Sequence, residues 1–447
     1  MSKKQLNLFD LAMIVVSLVI GMGIFRTPVV VAARTGTPLL FFLAWLVGGA
    51  IALCGGLIYA EIGSRYPVTG GYYKIFSYGY HPSLGFAVNC IILVSNAGST
   101  AVVGLIGAEY IGRFFYHDAP APELFRQLVT MGGIAFFYII NLLGLRMSSR
   151  VQNILTVFKI LLVLLLLTAL FGHHPLTAHY LAGSPMAIGG PHPGWLKAFG
   201  FGLVAVSFSY GGYQQTINFG GEVRNPGRTI PRGIGYGIAL IIILYLSLNF
   251  VYVKVIGFQE LKTADSIAAV LMNHLFGPAG DTLLRILMFL SVMAYVNVSL
   301  MSNPRVMYAM SDEGILPAAF RKKTAGNDVI VWSLTAFSAA MILTLLFSST
   351  VEKIINYTIF LDSIGFATSA STIFILRRRK TGEEKDIYRM KFYPLVPAIF
   401  ILAYVCVATS IILDDPSSAL YGAGIFGFCF LLYFILRARK GRTIPNS

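Results

Sequence analysis

Charge is what this chain is short of. Lysine, arginine, aspartate and glutamate make up 12% of its 447 residues, against about 25% in a soluble domain. An ordinary water-soluble fold is excluded, because 56% of the residues are hydrophobic and they come in long runs such as Leu161 to Leu170 and Ile238 to Leu246. The runs are continuous and do not alternate, which excludes a porin-like barrel. Cysteine is scarce too. Cys54, Cys90, Cys406 and Cys429 all fall in apolar stretches, with spacing that suits neither a metal site nor a disulfide framework. A phosphate-binding glycine loop and a Gly-x-Ser-x-Gly elbow are both missing, which argues against an ATP-driven pump and a membrane hydrolase. No cofactor and no metal are expected. The start, Met1-Ser2-Lys3-Lys4, leads into a full-length apolar span, so no cleavable signal peptide is expected.

Acidic residues are outnumbered by basic ones, 19 to 34, for a net charge of +15. The distribution of that charge argues against nucleic acid. Basic residues gather in alternate connections: Lys3/Lys4, Arg65/Lys74, Arg146/Arg150, Arg224/Arg228/Arg232, Arg321/Lys322/Lys323, Arg377 to Lys380 and Arg437 to Arg442. The connections between are poorer in them and hold Asp118, Glu123, Asp265, Asp414 and Asp415. This positive-inside pattern assigns the basic loops to the cytoplasm of a cell membrane protein, where they attract anionic lipid.

What is present is an all-α integral membrane chain of about twelve spans at roughly 20 residues each. They fall near 8–33, 38–64, 82–115, 126–146, 151–172, 196–222, 233–257, 279–311, 328–348, 353–377, 389–413 and 417–437. An even number of crossings with basic ends puts both termini in the cytoplasm. Residues 66–81 should form a turn and a short surface helix. Residues 173–195 are a Pro/Gly/His-rich outer loop, and 259–276 an outer segment with a short helix starting at Asp265 and Ser266. The histidines of the outer loop (His173, His174, His179, His192) have no metal-site spacing.

Two spans are interrupted by glycine, in Val19-Ile20-Gly21-Met22-Gly23-Ile24-Phe25 and in Ser207-Phe208-Ser209-Tyr210-Gly211-Gly212-Tyr213. They open matching halves. Residues 1–172 hold five spans and 196–377 hold five more; an odd number makes the second half an inverted repeat of the first. Residues 389–437 add two further helices. One Gly-x-Gly alone reads as tight helix packing. A matched pair points to a transporter's substrate site.

A break leaves helix ends at mid-membrane, with free N–H groups on one side and free carbonyls on the other. Gly21, Met22 and Gly23 would offer N–H donors to an anion, and Val19 a carbonyl to a cation. Phe208, Ser209 and Gly211 would add carbonyls from the sixth span. An anion seat beside a cation seat suits an α-amino acid zwitterion.

These residues resemble the amino acid–polyamine–organocation transporter superfamily. Gly21-Met22-Gly23-Ile24-Phe25 with Pro28 is similar to its first-span signature. Ala60-Glu61-Ile62-Gly63-Ser64-Arg65-Tyr66-Pro67 with Gly70-Gly71-Tyr72 is similar to its inner second-span motif. Phe208-Ser209-Tyr210-Gly211-Gly212, then Glu222-Val223-Arg224-Asn225-Pro226 and Ile230-Pro231-Arg232, is the most specific match. Arg305 to Met310, Asp312, Gly314 and Pro317 resemble the end of the eighth span. Arg150-Val151-Gln152-Asn153, Thr156 and Lys159 look most like the L-type amino acid transporters and their bacterial relatives. The resemblance implies backbone contacts to substrate at Val19, Gly21, Met22, Gly23, Phe208, Ser209 and Gly211, with Phe208 as an aromatic gate. Met22 stands where a small hydroxyl residue is frequent, and Tyr213 where tryptophan is frequent.

Lys159 lies about 12 Å into its helix at 1.5 Å per residue. Burying it costs about 2.5–3.5 kcal/mol, so it should find partners: carbonyls near Gly21, with Ser299 or Ser302 as further candidates. There it would take the place of a sodium ion, tying span 1 to its neighbours; the bland reading is a lysine that snorkels to the inner surface. Asp362, on span 10, is either a gate residue or proton acceptor, or a structural acid. Ser207, Tyr213, Gln214 and Asn297 are the candidates for a side-chain pocket. Glu61 pairs most simply with Arg65. Asn96, Tyr295 and Asn297 are polar groups that either line the path or, more commonly for such residues, glue helices together.

The expectation is a secondary transporter of neutral α-amino acids working by alternating access, as a sodium-independent exchanger or a proton symporter. Its partners are the amino acid, the bilayer and, under symport, protons; no accessory subunit is indicated. The alternatives are a polyamine or cationic amino acid carrier of the same fold and, more distantly, a nutrient receptor that does not transport.

Overall fold

The computed structural model describes residues 5–21, 23–116, 119–171, 194–263, 267–346, 348–383, 387–414 and 416–441. They are helical with no strand ladder; two isolated bridges, Leu6 with Val223 and Thr69 with Phe219, pin loop segments together. In chain order the helices are α1 (Leu8–Val19), α2 (Gly23–Thr35), α3 (Pro38–Arg65), α4 (Gly71–Gly79), α5 (Pro82–Tyr116), α6 (Glu123–Leu142), α7 (Leu145–Leu167), α8 (Trp195–Tyr210), α9 (Pro226–Val251), α10 (Ile267–Asp312), α11 (Val331–Leu346), α12 (Ser348–Arg378), α13 (Leu395–Asp414) and α14 (Pro416–Gly441). A four-residue helix, Phe258–Leu261, precedes α10.

Among the described residues, eight helices are long and apolar enough to cross a bilayer by themselves, and α1 with α2 makes a ninth span bent by 42°. The helices α8, α11 and α12 lie where the sequence places spans six, nine and ten. Local chemistry sets the helix starts. Asn7 and Asp10 cap α1 reciprocally, through Asp10 N–H to Asn7 Oδ1 at 2.9 Å and Asn7 N–H to Asp10 Oδ2 at 3.1 Å, satisfying donors that lipid could not. Thr37 and Pro38 open α3, and Asn225 and Pro226 open α9, seven residues before the expected 233. The early start comes from Pro226 at the first helical turn, where its missing N–H costs nothing.

One expected element differs in kind. The sixth span does not resume as an α-helix after its break. It continues as short 3₁₀ turns, Tyr213–Asn218 and Gly220–Glu222. A Cβ on Gly220 would meet the Val68 nitrogen at 2.8 Å and Pro67 backbone at 3.0 Å, so the chain here lies backbone against backbone. Gly70 N–H donates to the Asn218 carbonyl at 2.9 Å, and Tyr72 N–H to Asn218 Oδ1 at 3.0 Å. The short helix expected within 66–81 is α4, but it is not a surface helix: Tyr72, Tyr73, Ile75 and Phe76 are buried against its neighbours. Asp265 and Ser266 lie outside the described residues, and so do the four outer-loop histidines.

The packing has a recurring pattern. α3 packs on α9 and α5 on α10; α1 packs on α9 as α8 packs on α3; α10 packs on α7 as α12 packs on α5. One end of the bundle is knotted by ion pairs. Glu61 is fully buried. It accepts from Arg65 Nε at 2.7 Å, from Arg377 at 2.8 and 2.7 Å, and from the Met390 N–H at 2.8 Å. Glu222 pairs with Arg305 at 2.8 Å, and Lys74 with Asp312 at 2.7 Å. The basic loops after α3, before α9, after α10 and after α12 therefore share one end. Glu61→Gln removes the charge that two guanidinium groups share and leaves Arg65 only the longer contact to Glu383, at 3.8 Å. Breaking a buried pair from one side costs about 3–5 kcal/mol, and a lower thermal midpoint of the detergent-solubilised variant is the expected readout.

Candidate functional site

The two glycine breaks meet. Ile20 ends α1 with non-helical geometry (φ −72°, ψ 88°) and Gly23 starts α2. In the sixth span α8 ends at Tyr210, Gly211 is extended (ψ 166°) and Gly212 takes φ +110°. Only glycine adopts that φ freely, and a Cβ at Gly212 would also lie 2.4 Å from the Leu18 carbonyl oxygen. A Cβ on Gly23 would lie 2.9 Å from Ser209 Oγ. Each break is thus pressed against the other.

Beside them is a cavity of about 150 Å³. That space admits several waters, the scale of a small amino acid. Val19, Gly21, Gly23, Ser207, Phe208, Ser209, Gly211, Gln214 and Asp362 all line it. The sequence singles out each of these. Phe208 stands 47% exposed at its wall, where an aromatic side chain can cover a bound solute. Met22 lies outside the described residues.

Two pocket candidates are placed elsewhere. The Tyr213 side chain is buried among Tyr59 and Phe366, with ring centroids at 5.9 and 6.1 Å. The turn of the chain at Gly212 carries it away from the cavity. Asn297 is buried between helices. It accepts from Asn141 Nδ2 at 3.0 Å and donates to Gln152 Oε1 at 2.8 Å, which is the interhelical role that its polarity within a span also suggests.

The freed carbonyls are largely spoken for. Lys159 is fully buried and does not snorkel; it donates to the Ile20 carbonyl at 2.5 Å and to Ser17 O and Oγ at 3.4 Å. The further partners expected for it are engaged otherwise. Ser299 bonds Thr100 at 3.0 Å and Ser302 bonds Asn218 at 3.2 Å. Gln152 Nε2 donates to Ser17 Oγ at 2.6 Å, so the lysine's contact is itself held from α7. The Val19 carbonyl accepts the Gly21 N–H at 2.8 Å and the Tyr245 hydroxyl at 3.1 Å. In this structure the Gly21 N–H is therefore turned inward, and the Val19 carbonyl already has two donors.

Sequence reasoning missed Tyr245. Its single hydroxyl proton is shared with the Ser209 carbonyl at 3.3 Å, so one phenol on α9 bridges both breaks. The available signal was a lone phenol within the apolar run from Ile238 to Leu246. Ser95, Ser99, Gln215, Ser363 and Tyr404 also line the cavity unforeseen; Asn96 and Tyr295, which the sequence offers as path-lining groups, line it too. Asn96 additionally donates to Asn303 at 2.7 Å. The arrangement offers a small solute two backbone turns, several hydroxyls and amides, one carboxylate and one aromatic cover.

Tyr245→Phe removes one donor from two buried carbonyls. A loss of about 1–3 kcal/mol is expected, read as a lower thermal midpoint and as faster hydrogen exchange confined to residues 19–23 and 209–213.

Comparison with known proteins bears on the same features. The amino acid permease family model matches residues 6–436. The serine/threonine exchanger SteT of Bacillus subtilis is 27% identical over 418 residues, covering 93% of each chain. The human cystine/glutamate transporter is 27% identical over 433 residues, 93% of this chain and 82% of its own. The human large neutral amino acids transporter small subunit 2 is 27% identical over 413 residues, 89% and 74%. A helical bundle broken twice beside a polar cavity, matched along nearly its whole length by these proteins, belongs to the amino acid permease family: the chain is a multi-pass membrane transporter of amino acids and not an enzyme.

Proposed function

We propose that the chain is a secondary transporter of neutral α-amino acids that works by alternating access. The observation that carries this reading is the apposition of Gly23 and Ser209 across one cavity. Two halves of a bundle that meet at unwound backbone can rock about the solute they share. The substrate's carboxylate and ammonium are read by the backbone of Gly21, Met22 and Gly23 and of Phe208, Ser209 and Gly211, after the Gly21 N–H exchanges its internal partner for the ligand. The paired packing of α3 on α9 and α5 on α10 supports two inverted five-span halves, 1–172 and 196–377, with spans 11 and 12 at 389–437 outside them. The gathering of basic loops at one end supports cytoplasmic termini in the cell membrane.

Lys159 stands in for a bound cation. Its ammonium lies on the carbonyls that end α1, where a bound sodium ion would otherwise sit, so transport is independent of sodium. Coupling is by exchange or by a proton.

A second reading, a carrier of cationic amino acids or polyamines, is favoured by one residue: Asp362 puts a carboxyl group in the cavity wall. Inhibition of uptake by arginine or putrescine, and not by alanine or leucine, would select it.

The test is uptake by the purified chain in liposomes, with and without sodium or a pH gradient, and with labelled amino acid inside for countertransport. Accumulation is expected without sodium. Gly23→Val should abolish uptake while the protein stays monodisperse, because its side chain would displace Ser209. Lys159→Ala should slow cycling, and full activity in that variant would remove the lysine from the mechanism.

A further inference from the structure

The cavity carries one charge more than a zwitterion needs. Asp362 is half-buried on α12 and lines the cavity with Gly23 and Phe208. Among the described residues it has neither an ion-pair partner nor a hydrogen bond. No lysine or arginine is among the residues that line the cavity. The ammonium of Lys159 is committed to the carbonyls at the end of α1. An ionisable side chain kept at this depth without a partner is a strong marker of function, because the cost of holding it there is otherwise not offset.

The position of Asp362 separates its task from that of the helix breaks. The breaks belong to α1, α2 and α8. Asp362 belongs to the wall that α12 builds with α5 and α13. Backbone turns already suit the two charges common to every α-amino acid. What differs between amino acids is the side chain, and the residues that line the cavity from α5 and α12 include Asp362, Ser363, Ser95 and Ser99. A carboxylate accepts hydrogen bonds; it repels a second carboxylate and gains nothing from a methyl group.

We infer that Asp362 is the specificity-determining residue of the site: it accepts a hydrogen bond from the substrate's side chain, so the preferred substrates bear a hydroxyl, amide or ammonium there. This deepens the amino acid reading above and rests on it. Aliphatic side chains bind less well, and acidic ones are rejected. A hydrogen bond to a charged group changes affinity by about tenfold to a hundredfold, and sites built around such bonds discriminate strongly against analogues that lack the donor.

The experiment measures equilibrium binding of serine, glutamine, lysine, leucine and glutamate to the purified full-length chain, wild type against Asp362→Ala and the near-isosteric Asp362→Asn. In the wild type serine, glutamine or lysine should outrank leucine and glutamate. Lysine against serine and glutamine tells whether the donor is ammonium or neutral. Asp362→Ala should shrink the ratio of donor-bearing to leucine affinity by about tenfold or more, and Asp362→Asn should relieve the rejection of glutamate. An equal loss for every ligand, or an unchanged ranking in a monodisperse variant, would make Asp362 structural or a proton carrier and overturn the inference alone. Failure of the wild type to bind any amino acid would overturn the amino acid reading and the inference with it.

Discussion

Lipid offers no hydrogen bonds, and that constraint shapes everything at the centre of this molecule. A helix broken at mid-membrane frees carbonyls that lipid cannot satisfy, each costing several kcal/mol when left alone. Here the carbonyls of Ser17, Val19, Ile20 and Ser209 are met by two side chains, the ammonium of Lys159 and the phenol of Tyr245. The breaks are thereby tolerated without a ligand, and the cavity beside them persists as polar space inside an apolar bundle. Glycine does the complementary task. It lets Gly23 lie against Ser209 and Gly212 against Leu18 with no side chain between.

Around that centre the supports are graded. Lys159 is steadied by Ser17, Ser17 by Gln152, Gln152 by Asn297 and Asn297 by Asn141. This buried chain of amides runs through α1, α7, α10 and α6. The far end of the bundle is bound differently, by full charges on Glu61, Arg65, Arg377, Glu222 and Arg305. Neutral amides cost little to bury once paired; ions offset the cost of burial only with ideal partners. The amides lie deep and the ions lie toward the end where loops gather.

Much of this was legible in the sequence. Runs of apolar residues fixed the class, and alternating basic loops sorted the connections onto shared ends. The paired glycines located the breaks, and nine of the residues singled out there line one cavity. The rest was illegible for a physical reason in each case. A glycine pair predicts that a helix stops, but not how the chain continues beyond it; the 3₁₀ course of Tyr213–Asn218 depends on the approach of Val68 and Asn218 to distant backbone. Polarity near a break suggests a lining, so Tyr213 and Asn297 read as pocket residues, yet direction is set by the turn at Gly212 and by neighbours on other helices. Tyr245 was hidden for the opposite reason. A hydroxyl's usefulness lies at the tip of a long ring, one helix away from its Cα.

The short link across the first break has a mechanical meaning. Between Val19 and Gly23 only three residues intervene, and at about 3.3–3.6 Å per residue a linker that short cannot stretch far. The two rods it joins, set at 42°, can swing about their joint. A link of that length holds the two rods to a change of angle more than to a shift of one along the other.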